Sequence, residues 1–281
     1  MRHVAVATLL ATLFAAPTPS GAQEMTGPPK VLVFGWETLR PGTLAAHDKV
    51  AAGFVALAAK AKSPGHWIGL NAVSGDENQA LFLAGFPSFA AAQKAHEAEE
   101  AVVAGTPALK AEADRLEKEG SATHVSQRTV FATYQEDVSF HPPGPADIGK
   151  ARFVEVTVTR VRPGRIPDYW EFLKAGNQAR EKAGVPLKAA VFLAQSGAPT
   201  GTVLIVRPMA SMAELDQDFM KPFIAALGGD EGWKKLRSSY AEIAEESTRT
   251  IFAINPKISY PYPPIVAADP AFWTPAAKGG K

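Results

Sequence analysis

The chemistry of this 281-residue chain starts from a carboxylate set among valines. Glu155 alternates with Val154 and Val156, and Thr157 and Thr159 lie on its side of one predicted strand. If the valines pack on helices, that polar face looks into the space between sheets. An acid there must be hydrated, paired or protonated, because an unpaired buried charge is costly. Arg128 and Arg249, at matching places on two later strands, are natural partners, and Glu37 lies on the corresponding face of an earlier strand. Asn71 and Gln195, on further strands, are weaker candidates. A structural ion pair or a solvated strand end would account for the same residues without catalysis.

The histidines are unevenly placed. Apart from His3, all of them (His47, His66, His96, His124 and His141) precede residue 144. His47 lies on an apolar helical stripe with Leu44, Ala51, Phe54 and Ala58, and Tyr169 stands 122 positions later in an equivalent stripe. A ring with a polar tip at both places points first to packing and second to acid–base work. The candidate ligand-lining set is therefore Glu155, Thr157, Arg128, Arg249, Asn71, His47 and Tyr169. No metal site and no cofactor are expected. His96-Glu97 opens like a zinc-protease helix, but Glu100 stands where the second histidine belongs. There is no cysteine to supply a disulfide, thiolate ligand or nucleophile, and no phosphate-binding glycine loop or GxSxG.

These residues are positioned by a repeat. Arg40-Pro41-Gly42 recurs as Arg162-Pro163-Gly164, and the same offset of 122 places Ser74-Gly75 on Ser196-Gly197 and Leu81-Phe82-Leu83 on Val203-Leu204-Ile205. Arg128-Thr129-Val130-Phe131-Ala132 matches Arg249-Thr250-Ile251-Phe252-Ala253 at 121. Each copy reads strand, Arg-Pro-Gly turn, helix, two strands about a glycine turn, helical stretches and a last strand. This is the β-α-β-β-α-β plan, whose sheet carries helices on one face only. Pro222 should break the helical region in copy two. The expected division is a leader at 1–22, ferredoxin-like repeats at 30–143 and 152–264, a linker at 144–151, and an extended tail at 265–281.

This α+β order in tandem resembles the dimeric α+β barrel superfamily, with its antibiotic-biosynthesis-monooxygenase-like domains. The resemblance implies two ferredoxin-like repeats packed sheet to sheet as an intrachain barrel, with a ligand in the interior or between sheet and helices. It covers residues 30–264 and rests on strand order and duplication, so it speaks for fold before activity. Haem enzymes of that superfamily typically take their axial histidine from the second unit, which here has none.

Composition narrows the rest. A net charge of +1 with scattered basic residues argues against nucleic acid. Arg2, the apolar run Val4 to Phe14 and Ser20-Gly21-Ala22 read as an export leader ending before Gln23, which points to a periplasmic or secreted protein without stable membrane insertion. The leading reading is an exported protein that binds a small organic ligand, with a homo-oligomer allowed. The alternative is a cofactor-independent monooxygenase or related oxidoreductase, and a filled barrel serving only structure is a third. The sequence does not decide whether the chain is an enzyme.

Overall fold

The computed structural model describes residues 26–274, so the expected leader lies outside the described residues. The first repeat comprises β1 (Val31–Leu39), α1 (Leu44–Ala61), β2 (Ile68–Ala72), β3 (Gln79–Phe86), α2 (Phe89–Gly105), α3 (Pro107–Ser121) and β4 (His124–Tyr134). The second comprises β5 (Phe153–Val161), α5 (Ile166–Lys182), β6 (Ala190–Ser196), β7 (Thr202–Met209), α6 (Met220–Ala226), α7 (Asp230–Ile243) and β8 (Ala244–Ile254), preceded by α4 (Pro145–Lys150). The Arg-Pro-Gly turns match: Gly42 and Gly164 hold φ values of +80° and +77°, which a side chain would resist. Copy two departs where Pro222 falls. Its helical region is broken into a short 3-10 turn at Met212–Leu215 and α6, with the proline in the first turn of α6.

The strands close one barrel in the order β1-β3-β2-β8-β5-β7-β6-β4. Each repeat contributes a four-stranded antiparallel sheet, and the sheets meet edge to edge. β2 joins β8 with Leu70 opposite Ile254, and β4 joins β6 with Ala132 opposite Ala194. The expected sheet-to-sheet arrangement is thus a closed ring in which each repeat pairs the other's edge strands.

The closed ring reverses one expectation. Val154 and Val156 pack with Phe34, Leu70, Leu81, Phe192, Leu204 and Phe252 in the barrel interior. Glu155, Thr157 and Thr159 therefore face the helices, as does Glu37. Both faces of a barrel sheet with outer helices are covered, so valine–polar alternation does not reveal which face is inside. The outer layers hold their own apolar clusters. Phe54, Leu57, Trp67 and Leu116 serve repeat one, and Tyr169, Leu173, Val191 and Ile243 serve repeat two.

The expected extended tail is also corrected. The linker at 144–151 holds α4, and the described part of the tail forms α8 (Pro263–Ala268) and α9 (Pro270–Trp273) rather than extended structure, while residues 275–281 lie outside the described residues. Proline at the start of each of these helices costs no hydrogen bond, so a proline-rich stretch can still fold as single turns. Gly149 lets α4 and α8 touch, since a Cβ there would stand 2.4 Å from the Ile265 carbonyl oxygen. Trp273 is buried against the barrel core, and its indole N–H donates to the Gly149 carbonyl at 2.8 Å. Linker and tail together pack on the core at the end of the barrel where β1 and β5 begin. Among the described residues no helix is long and apolar enough to cross a membrane.

Candidate functional site

The most unusual group lies beneath α1, on the helix face of β1. Glu37 is fully buried, and its Oε2 receives the Nε2 of His47 at 2.7 Å and the Nε2 of His124 at 2.8 Å. The fold explains the convergence. Glu37 is near the end of β1, His47 comes from the first turn of α1 after the Arg-Pro-Gly turn, and His124 opens β4 opposite Leu39, where the register shifts. Gln127, opposite Glu37, offers its amide to the other carboxylate oxygen at 3.4 Å.

A second layer fixes the first. His47 Nδ1 lies 3.1 Å from Asp48 Oδ1, while Asp48 Oδ2 accepts amide hydrogens from Asn71 and Asn255, both at 2.9 Å. With carboxylates on both ring nitrogens, His47 is a hydrogen-bond donor at each. Burial pushes its pKa down, but the hydrogen bonds and negative charges of Asp48 and Glu37 outweigh this and raise it to about 9. Burial likewise pushes Glu37 up, and the hydrogen bonds and positive charge of His124 and His47 prevail to hold it below the ordinary carboxylate range. At neutral pH the centre is a His47 imidazolium against the Glu37 carboxylate.

Repeat two shows the same place without charge. β5 follows β1 at an offset of 122 and β8 follows β4 at 120, so Glu37, His47, His124 and Gln127 correspond to Thr159, Tyr169, Ala244 and Ser247. Thr159 is hydrogen-bonded by the Tyr169 hydroxyl at 3.3 Å and lies 3.1 Å from the Ser247 hydroxyl. Burial pushes the Tyr169 phenol up to about 12, so this copy stays neutral.

A cavity of about 800 Å³ opens at the barrel end where β1 and β5 finish. Val130, Val156, Leu204 and Phe252 form its floor, and Ser126, Thr248 and Thr250 line it together with the charged Asp76, Glu246 and Arg160. Arg128 lies over the Trp36 ring at 5.1 Å. Trp36 in turn stacks on Phe34 at 5.1 Å. No carboxylate among the described residues forms an ion pair with Arg128. A second cavity of about 570 Å³ is more apolar and lies against α2 and the tail, with His66 stacked on Tyr260 in its wall. A third, of about 330 Å³, lies between α5, α6 and the sheet of repeat two, lined by Arg180, Arg207 and Arg249 with Phe219 and Phe223.

The sequence-predicted residues are divided among these places. Arg128 reaches the barrel cavity. Arg249 does not share its position: the structural partner of Arg128 in copy two is Thr248, since Trp36 faces Arg128 and Val158 faces Thr248. A one-residue slip sends a side chain to the other face of a sheet. Arg249 and Glu155 do pair, loosely, at 3.8 Å, but on the helix side, with Thr157 opposite Arg249. Asn71 supports Asp48. Gln195 bonds Thr133 across the β4–β6 seam. His47 and Tyr169 occupy equivalent positions as expected, yet their partners differ in charge. His124 was not among the candidates, although writing β4 against β1 would have placed it beside Glu37. No metal site was expected, whereas Glu37, His47 and His124 offer ligand atoms all within 4.8 Å of one another.

No family model matches the chain, and no curated protein matches it. Solved structures do resemble it. An anthrone oxidase-like protein aligns at 16% identity over 82% of this chain and 93% of that one, with a TM-score of 0.54. A mutant chlorite dismutase from Candidatus Nitrospira defluvii aligns at 6% identity over 85% and 97%, with a TM-score of 0.49. A provisionally assigned monooxygenase from Lactobacillus acidophilus gives 7% identity over 80% and 93%, with a TM-score of 0.48. The first of these carries the comparison, and it concerns fold: this chain has the dimeric α+β barrel architecture, closed within one polypeptide. The repeat-two cleft offers no histidine to a haem, so the residues there do not fit haem held by an axial imidazole.

Proposed function

We propose that the chain is an oxidoreductase of the oxidase and monooxygenase kind, and that its substrate is a small anionic aromatic molecule bound at the open end of the barrel. One observation carries this reading: Arg128 stands over Trp36 in a cavity large enough for such a molecule, and forms no ion pair with Asp76 or Glu246, which also line it. Sites for small organic ligands are mostly apolar with a few convergent polar groups, and a guanidinium suits a carboxylate or phenolate beside an aromatic wall. The fold shared with the anthrone oxidase-like protein supports the redox part. The leader read at 1–22 supports an exported protein.

Titration of the protein with 1-hydroxy-2-naphthoate, followed by intrinsic tryptophan fluorescence, tests the site. Arg128→Gln should weaken binding at least tenfold while leaving the neutral 1-naphthol little changed. Equal affinity of wild type and variant for the acid would remove the proposal. Oxygen consumption with the same compound then separates an enzyme from a binding protein, the second reading, which binding without turnover would favour. Protein from its own host should begin at Gln23 if export occurs.

A further inference from the structure

We infer that Glu37, His47 and His124 form a binding site for a divalent first-row transition metal, independent of any ligand in the barrel cavity. Two imidazoles and one carboxylate converge on one point from β1, α1 and β4. Both histidines present Nε2, and their rings stand nearly perpendicular at 87°, so neither blocks the other. Imidazole with carboxylate is a donor set that suits zinc and ferrous iron, and three protein ligands leave positions for water or another small molecule. Such ions bind nitrogen and oxygen at roughly 2.0–2.2 Å. The present 2.7 and 2.8 Å separations between nitrogen and oxygen would open by a few tenths of an ångström to admit one.

The surroundings support this assignment twice over. Asp48 accepts from His47 Nδ1 and is itself pinned by Asn71 and Asn255, which aims Nε2 at Glu37. A carboxylate behind a ligating histidine is the usual device for orienting the ring and raising its basicity. Repeat two then serves as an internal control. The same fold position is filled there by Thr159, Tyr169 and Ala244, so the architecture does not require the charges. Burying a charged cluster where a neutral one suffices costs stability. On ligation, the Nε2 protons that now bridge to Glu37 leave to solvent as metal–nitrogen bonds form, and the carboxylate turns from hydrogen-bond acceptor to ligand.

The experiment uses full-length protein stripped with a chelator and titrated with Co²⁺, read by its visible d–d absorption and by calorimetry, with Zn²⁺ as competitor. Wild type should bind one equivalent. Asp48→Asn should weaken binding by about 10–100-fold, as expected of an orienting partner. The combined variant Glu37→Thr, His47→Tyr, His124→Ala installs the repeat-two set, which this fold already accommodates, and should lose the equivalent while keeping its circular dichroism spectrum. Tyr169→Phe should change nothing in the titration. If wild type and the combined variant take up cobalt alike, or wild type takes up none, the centre is an ion-pair cluster and the inference fails. The naphthoate titration is unaffected by either result, so the two proposals fall separately.

Discussion

Glu37 and Thr159 occupy the same position on the first strands of the two repeats, yet one is a fully buried carboxylate held by two imidazoles and the other a hydroxyl held by a phenol. The two repeats share this backbone position and differ in its charge. Because both versions coexist in one chain, the cost of the charged one can be measured against the other.

Removing one member should hurt more than removing all. His47→Ala leaves Glu37 buried with only His124 and Gln127 as partners and should destabilise the fold by about 3–5 kcal/mol, the usual penalty for breaking a buried pair. The Thr, Tyr, Ala replacement should be neutral or stabilising by up to about 4 kcal/mol in metal-free protein. Urea denaturation of the two variants beside wild type checks the order.

Metal-free protein should be most stable in mildly acid solution. The His47 pKa is raised above its ordinary 6.5, so its contribution is complete below that value and fades as pH rises through about 9. Glu37 is depressed below 4.5, so its contribution is complete above that value and is lost as pH falls through the lower folded pKa. Thermal melts from pH 3 to 10 should show a plateau between roughly 4.5 and 6.5, and the plateau should flatten in the Thr, Tyr, Ala variant.

Trp273 anchors the tail at the end of the barrel where β1 and β5 begin. Trp273→Ala removes a buried ring and its hydrogen bond to Gly149, and should cost about 3–5 kcal/mol. Proteolysis should then cut first near α8 and α9. Cleavage elsewhere at an unchanged rate would show that the tail is not anchored through this ring.

Gly197 guards the β4–β6 seam. Its φ of +81° and the 1.9 Å that a Cβ would leave to the Thr129 carbonyl oxygen forbid a side chain. Gly197→Ala should cost about 2 kcal/mol or more, and hydrogen exchange should quicken at Ala132 and Ala194 before the β5–β7 ladder. Loss of protection spread evenly over the barrel would contradict this.

Much of the architecture was legible because a repeat of chain is a repeat of fold: the Arg-Pro-Gly turns and the strand order needed no structure. The orientation of the strands was not. Val154 and Glu155 alternate as they would on any half-buried strand, and only closure of the ring tells which side is inside. Arg128 and Arg249 mislead for a related reason, since aligning identical letters at an offset of 121 overlooks a spacing of 120 in the β-ladders, enough to put them on opposite faces of the sheet although both border the open-end cavity. Glu37 and His124 are 87 positions apart. Their meeting depends on the pairing of β1 with β4 and on a register shift at Leu39, neither of which composition reveals.

The seams β2–β8 and β4–β6 run only between repeats, while a single covalent connection, the turn of helix at 145–150, links them. A polypeptide severed within that stretch would release two fragments, each exposing raw edges that only the other matches. They should therefore reassemble as a heterodimer without the tether. In a symmetric pair of separate single-repeat chains, every substitution would arrive twice; here one half can carry imidazoles that the other lacks.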